Sequence, residues 1–308
     1  MTSNHTRKVN PRSVGLVSDE TYTKTTTELS LKAEADELVR CAEQSIHTEH
    51  VFPVRAVAYN EAENSLTTKL IHGQDLFNSI WNPTSFLGRI KGGGIRNQDV
   101  LLSRLQELGE WLAKYHNSES HPDKSEHAAK WLTDSFINKL SFARDNGLIS
   151  KKIVDLVERK FVAEILNIKK EGYRQENRVR ICRVHGDFIV YNMLVDDNDD
   201  LHVLDFGDTR ISSSIEDVAR FYQNIWAISH TSKHRKRLFQ EVRDGFLVNN
   251  GLPLDIVEAP FFKAVMAYNA VIHLVGGHAM RDLLSLPSRM ELAQITNVGL
   301  KWMRNEVR

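Results

Sequence analysis

The stretch from His185 to Gly207 restricts this chain more than any other. It reads His185-Gly186-Asp187, then four residues, then Asn192, and thirteen residues after Asn192 comes Asp205-Phe206-Gly207. Three short β-prone runs, 179–184, 193–195 and 201–204, bracket the two loops that hold these residues. Such a hairpin delivers several polar side chains to one place. Asp187 leaves a strand and can accept the proton of an incoming hydroxyl. Asn192 returns an amide oxygen to the same cleft, and the next hairpin brings up the Asp205 carboxylate. Hard oxygen ligands with open positions are what Mg²⁺ needs to bridge nucleotide phosphates. The transfer itself asks little more of a protein than positioning and charge.

The remainder of the chain is consistent with a scaffold for that hairpin. Residues 13–27, rich in β-branched side chains, read as two strands turned at Asp19-Glu20. A helix with Ser30 as N-cap and an apolar stripe of Leu31, Ala35, Leu38 and Ala42 follows. Strands are expected again at 51–59 and 65–71, separated by Asn60 to Asn64, so a small α+β region ends near Gly73. Beyond it the period is helical. Asn97 or Asp99 can cap a helix carrying Leu101, Leu105, Leu108, Leu112 and Tyr115. Further helices are expected at about 126–144, 150–171, 215–230, 232–249, 255–283 and 287–306. The apolar run 261–280 is long enough to raise a membrane span, but Lys263, Asn269, His273 and His278 interrupt it, and a buried helix fits better.

Composition excludes some classes. Of 308 residues, 41% are hydrophobic and 26% charged, the mix of a soluble globular protein. Forty basic residues balance forty acidic ones, so bulk charge gives no reason to expect a nucleic-acid partner. Two cysteines, Cys41 and Cys182, supply no disulfide framework, and the polar N-terminus has no apolar signal core; the expected location is cytoplasmic. Cys182 reads as a packed residue of the strand entering the catalytic loop.

The H-G-D-x4-N and D-F-G pair resembles the protein-kinase-like catalytic core. With glycine in the middle of the first triplet, it is most similar to the aminoglycoside phosphotransferase and choline kinase branch. The resemblance also covers the small lobe, the Gly73 region, the helix ending Leu108-Gly109-Glu110-Trp111-Leu112-Ala113-Lys114-Tyr115-His116 and the helix entered by Glu216-Asp217. It implies an α+β, two-lobed protein-kinase-like fold, with a small β-rich N-terminal lobe and a large, mainly helical C-terminal lobe. Residues 1–73 would be the nucleotide-binding lobe and 74–308 the catalytic and substrate-binding lobe. The activity implied is ATP- and Mg²⁺-dependent transfer of the γ-phosphate to a hydroxyl of a small molecule of aminoglycoside, amino alcohol or sugar type. Asp187 would be catalytic, Asn192 and Asp205 would hold magnesium, His185 would brace the loop and Asp217 would cap a helix start.

The family's phosphate clamp pairs a strand lysine with a helix glutamate, and Lys24 and Glu34 are the candidates. On a helical wheel Glu34 lies about 80° from the centre of the apolar stripe and Glu37 about 140° away. Glu34 is therefore expected to flank a buried cleft and Glu37 to face solvent.

The chain also departs from the protein-kinase pattern. Gly15 is the only glycine before Gly73, Ile189 stands where protein kinases carry lysine, and no Ala-Pro-Glu follows the second motif. A protein kinase is thus a weaker reading, as is a binding or regulatory relative with little turnover, since Asp187, Asn192 and Asp205 are all present. Gly92-Gly93-Gly94 lacks the strand-to-helix context of a phosphate loop. Asp196 to Asp200 lacks the glycine and glutamate of a calcium loop and reads as a solvated turn. His47 to His50 lacks zinc-helix spacing. Glu216, Asp244 and Asp282 are acids that could attract a cationic acceptor.

Overall fold

The computed structural model describes residues 5–10, 13–27, 30–84, 98–231, 233–279 and 286–307. Gly92, Gly93, Gly94, Asn97 and Asp282 lie outside them. The chain packs as two compact units, one of residues 1–118 with 185–210 and the other of residues 119–184 with 211–308. These units differ from the lobes 1–73 and 74–308, which are defined by what each would bind.

The first unit contains two sheets. One is an antiparallel sheet of β1 (His5–Asn10), β2 (Ser13–Val17), β3 (Thr21–Thr26), β5 (Ala56–Asn60) and β6 (Ser65–Lys69), in the order β1-β2-β3-β6-β5. The turn at Asp19-Glu20 and the β-branched run fall where the sequence puts them. Strand β1 is missed by pattern reading, because His-Thr-Arg-Lys-Val-Asn has no apolar alternation and edge strands do not need one. The expected strand at 51–59 is two strands. Val51–Pro53 (β4) joins a second sheet, and β5 joins the first. Pro53 has no N–H to offer a ladder, and β4 ends there.

The second sheet, in the order β4-β10-β9-β7, adds β7 (Gly73–Asp75), β9 (Met193–Asp196) and β10 (Leu201–Val203). Gly73 pairs with Asp196, and a Cβ at Gly73 would sit 2.0 Å from the Val195 carbonyl oxygen. Only glycine fits that approach. The Asp196 to Asp200 run is the β9–β10 turn. The Asp196 carboxylate accepts from the N–H groups of Asn198 and Asp200 at 2.8 and 3.0 Å, and Asp199 has φ 63°.

Helix α1 (Lys32–Glu43) starts one residue later than expected. Leu31 is the cap position, and the Ser30 hydroxyl still accepts from the Lys32 N–H at 3.3 Å. Leu31, Ala35 and Leu38 are buried as the stripe requires, while Cys41 is buried in place of the exposed Ala42. Helix α2 (Leu76–Thr84) follows β7. Helix α3 (Gln98–Asn117) buries Leu101, Leu105, Leu108, Leu112 and Tyr115, together with Trp111.

The second unit is mostly helical. It comprises α4 (Ser125–Asp145), α5 (Lys151–Val157), α6 (Ala163–Leu166), α7 (Glu171–Glu176), α8 (Ser214–Ser229), α9 (Lys233–Asn249), α10 (Pro260–Ala279) and α11 (Leu286–Glu306). The helix expected at 150–171 is broken up, with a π turn at Glu158–Val162 and a 3₁₀ turn at Asn167–Lys169. Strands β8 (Ile181–Val184) and β11 (Arg210–Ser213) form a two-stranded sheet. Helix α10 is the apolar run that raised a membrane span. It packs against α4, α8 and α11 and buries Phe261, Phe262, Val265 and Tyr268. Among the described residues, no helix is long and apolar enough to cross a membrane.

Two polar pairs join helices inside this bundle. Arg220 Nε donates to Asn269 Oδ1 at 3.1 Å, and Asn224 hydrogen-bonds His273 at 2.9 Å. Burial, with the Arg220 cation nearby, pushes the His273 imidazole down to about 4. The neutral ring is therefore favoured by folding, and this stability is present above the unfolded value and lost as pH falls toward the folded one. Denaturant unfolding should show a loss of about 2 kcal/mol from this group between pH 7 and pH 5. His273→Gln should flatten that part of the pH profile, whereas an unchanged profile would remove His273 from the account.

Candidate active site

His185, the first residue of the motif, is fully buried and ties the two loops together. Its Nε2 contacts the Leu204 carbonyl at 2.9 Å, and its Nδ1 accepts from the Asp187 N–H at 3.3 Å. That pattern makes Nε2 the protonated nitrogen. The ring packs on Phe206 at 4.6 Å and on Phe188 at 5.7 Å, and Trp111 of α3 stacks on Phe188 at 5.7 Å. The loops are thus held on a rigid aromatic bed rather than hanging in solvent.

Gly186 has φ +82°, and a Cβ there would sit 2.3 Å from the Asp208 carbonyl oxygen. The arginine that protein kinases place at this position would meet that backbone. Here the loop entering Asp187 and the loop leaving Asp205 approach too closely for any side chain. Asn192 closes the first loop. Its Nδ2 donates to Asp187 Oδ2 at 2.7 Å and to the Asp187 carbonyl at 2.9 Å, and Leu204 N–H donates to the Asn192 carbonyl at 2.9 Å. A five-residue spacing with a 3₁₀ turn at Val190–Asn192 accounts for this return.

Asp205 is one of five non-glycine residues with positive φ among the described residues, at φ 58° and ψ 64°. A left-handed aspartate is a strained backbone that the surroundings must maintain. Its Oδ1 lies 2.8 Å from Lys24 Nζ, and the same ammonium lies 2.9 Å from Glu34 Oε2. The structure therefore brings the strand lysine, the helix acid and the Asp205 carboxylate together, across 181 residues of chain between Lys24 and Asp205. Burial acts to lower the Lys24 pKa, but the Asp205 and Glu34 carboxylates outweigh it and hold the ammonium above its ordinary range. Burial pushes the Glu34 carboxyl up against the pull of Lys24.

Asn192 and Asp205 have the chemistry of a Mg²⁺ donor pair. The Asn192 amide nitrogen is turned to Asp187, so its oxygen points the other way, and the Asp205 side chain is 43% exposed. Both offer hard oxygens, and Mg²⁺ ordinarily completes its shell from phosphate and water. Among the described residues, no group of three or more His, Cys, Asp or Glu is placed to hold a metal ion, His47 to His50 included.

Three expectations need correction. Glu37 does not face solvent. It is 4% exposed, accepts from the Tyr115 hydroxyl at 2.8 Å and pairs with Arg40 Nε at 3.0 Å. The wheel misjudged it because a polar partner from α3, not an apolar one, covers that side of α1. Asp217 is not the helix cap. Ser213 is, its hydroxyl accepting from the Ile215 N–H at 3.3 Å, and Asp217 lies fully buried in the first turn, where the positive helix end favours a carboxylate. Glu216, read as an acid that could attract a cationic acceptor, is instead fully buried, 4.0 Å from Arg220. Cys182 is buried, and burial followed by the Asp217 charge pushes its thiol up, so it packs rather than reacts.

The pattern of the phosphotransferase enzyme family matches residues 22–247. Among solved structures, aminoglycoside phosphotransferase APH(2'')-Ib bound to ADP is similar at 15% identity, over 96% of this chain and 92% of that chain, with TM-score 0.57. Glucosamine kinase in complex with glucosamine, ADP and inorganic phosphate is similar at 16% identity, over 93% and 81%, with TM-score 0.54. Plasmodium vivax ethanolamine kinase is similar at 11% identity, over 98% and 82%, with TM-score 0.53. At such identities the likeness establishes a common fold. No curated protein sequence matches the chain.

Two glycines separate conformation from crowding. Gly251 also has positive φ, at +80°, but a Cβ there meets nothing within 4 Å. Gly251→Ala should cost about 1–2 kcal/mol from backbone strain alone. Gly186→Ala should cost clearly more, because the Asp208 carbonyl must also move. Equal melting temperatures for the two variants would show that the two loops are not in close contact.

Proposed function

The chain belongs to the phosphotransferase enzyme family, and on that premise we propose that it moves the γ-phosphate of ATP, with Mg²⁺, onto a hydroxyl of a small molecule. It is a phosphotransferase with an alcohol group as acceptor, of the small-molecule-kinase kind. The observation that carries the finer reading is the Lys24 ammonium shared by Glu34 and Asp205. A cation held beside a donor of metal-ligand type is the equipment for a polyphosphate and its Mg²⁺. The adenine nucleotide is supported by the ADP bound in two of the similar kinases.

In this reading residues 1–73 form the nucleotide-binding lobe, with Lys24 as the phosphate clamp and Glu34 holding it. Residues 74–308 form the catalytic and acceptor-binding lobe. Asn192 and Asp205 hold Mg²⁺, which when bound neutralises charge developing on the transferring phosphoryl group. Asp187 takes the proton of the acceptor hydroxyl or orients it. Asn192 Nδ2 fixes the carboxylate for that task, and His185 holds the loop backbone beneath it. The strained φ of Asp205 aims its carboxylate toward Lys24, and the contacts around it keep that geometry ready before nucleotide arrives. The acceptor is a hydroxyl-bearing small molecule of amino sugar, amino alcohol or sugar type, the classes named for the aminoglycoside, ethanolamine and glucosamine kinases that share the fold.

Two measurements test this. Mg·ATP should raise the melting temperature of the purified protein, and Asp205→Asn should abolish the part that depends on Mg²⁺. No shift in the wild type would overturn the nucleotide reading. A screen of aminoglycosides, amino alcohols and sugars for ATP consumption should find an acceptor, and Asp187→Ala should then lower turnover at least about 100-fold. Wild-type rates in Asp187→Ala would remove Asp187 from the chemistry.

A further inference from the structure

Helix α9 buries a positive charge that has no paired carboxylate among the described residues. Arg243 is 9% exposed, and its Nε is enclosed with no hydrogen-bond acceptor. The guanidinium lies over the Tyr222 ring of α8, 5.7 Å from the centroid. Of the acids nearby, Glu258 is held by Lys263 at 2.7 Å, and Asp244, the next residue of α9, lies about 100° round the helix from Arg243. A buried charge is ordinarily paired or hydrogen-bonded, because water no longer satisfies it. An aromatic face compensates for part of that. The Nη atoms are not enclosed as Nε is, so the end of the fork that grips oxyanions is the end that reaches the surface.

The surroundings of Arg243 add charge of the same sign. Lys236 is exposed and lies seven residues earlier, about 20° round α9, so the two cations share a face two turns apart. His230, just beyond α8, feels both. Burial lowers its imidazole, and the charges of Arg243 and Lys236 push the same way. Its Nδ1 is committed to the Trp226 carbonyl at 2.8 Å. Like charges held together repel, and an anion between them removes the repulsion.

The same place presents aromatic surface. Tyr222, Trp226 and His230 are spaced four apart and so line one side of α8. Every residue of α8 is buried except Trp226, which is half-buried. Its ring meets His230 at 4.3 Å and stands edge-on to Trp302 of α11, also half-buried, at 6.1 Å. We propose that Arg243, Lys236 and the Trp226 ring form a site in the helical unit for a small ring-bearing oxyanion. The two cations hold its carboxylate or phosphate, and its ring lies on the tryptophan. The site asks for neither nucleotide nor Mg²⁺, and so goes beyond the phosphotransferase reading.

Phenyl phosphate and benzoate, which share a ring and differ in the anion, are the probes, and inorganic phosphate is the anion without the ring. Each is added to the full-length protein without nucleotide. At least one ring-bearing probe should move the His230 titration upward in proton NMR, because its charge offsets those of Arg243 and Lys236. It should also bind about tenfold tighter than inorganic phosphate, through stacking. The tighter of the two identifies the anion. Arg243→Gln should weaken that binding at least about tenfold, and Arg243→Lys should restore part of it. Lys236→Gln, at an exposed position, should weaken it about threefold and carries the test if Arg243→Gln does not fold. A His230 titration that no probe moves would overturn the site. So would an affinity unchanged in these variants, the result expected of a probe bound at the Lys24 cluster instead. Inorganic phosphate binding as tightly as phenyl phosphate would remove Trp226 from the site.

Discussion

A lysine ammonium placed between two carboxylates organises the first unit of this protein. Lys24 comes from a strand, Glu34 from the helix after it, and Asp205 from a loop far along the chain, and the three meet within 2.9 Å. Each charge is costly to bury alone, and breaking a buried pair by removing one partner costs roughly 3–5 kcal/mol. The cluster therefore works as a folding constraint. Helix α1 and strand β3 must arrive together, or the buried Glu34 carboxylate loses its Lys24 partner, and the half-exposed Asp205 joins the same ammonium from the later loop. In the proposed reading the same charges would also serve catalysis, because a partly desolvated lysine binds phosphate more strongly than a fully solvated one.

That constraint depends on an apolar support. Trp111, Tyr115, Phe188 and Phe206 are all fully buried, and His185 lies among them. This bed allows Gly186 to run against the Asp208 carbonyl and Asp205 to stay left-handed, both of which need surroundings that do not yield. The middle glycine of His185-Gly186-Asp187, which separates this family from protein kinases in sequence, thus has a steric reason in the structure. The second unit works differently. It is a bundle around α10, with buried polar pairs such as Asn224 with His273 joining its helices. Such pairs stabilise only when both partners are present and correctly protonated.

Most elements were legible because their periods are strong. The stripe of Leu101, Leu105, Leu108 and Leu112 could only be one face of a helix, and the β-branched run at 21–26 only a strand. Strand β1 escaped because an edge strand of polar residues carries no alternation. The break at Pro53 and the π turn at Glu158–Val162 escaped because each is a local interruption inside a continuous pattern. In the site, Asp187, Asn192 and Asp205 stood out by residue type and spacing, and His185 through the family resemblance that this spacing carries. Tyr115 was visible only as a stripe residue, since an aromatic ring hides its hydroxyl from any count of apolar positions. Glu37 was placed in solvent because a helical wheel knows the polarity of one helix and nothing of the helix covering it.

The sequence by itself determined which polar groups gather at the site. The residue types and spacings between His185 and Gly207 bring two carboxylates, an amide and a tight turn to one hairpin, because those residues are near one another along the chain. What only the tertiary structure decided is the company they keep. Whether Lys24 pairs with both Glu34 and Asp205, and whether Glu37 is buried, depend on contacts between segments separated by up to 181 residues. Sequence distance carries no record of such contacts. They are set by how the two sheets and helices α1 and α3 pack, and packing selects partners by shape and charge.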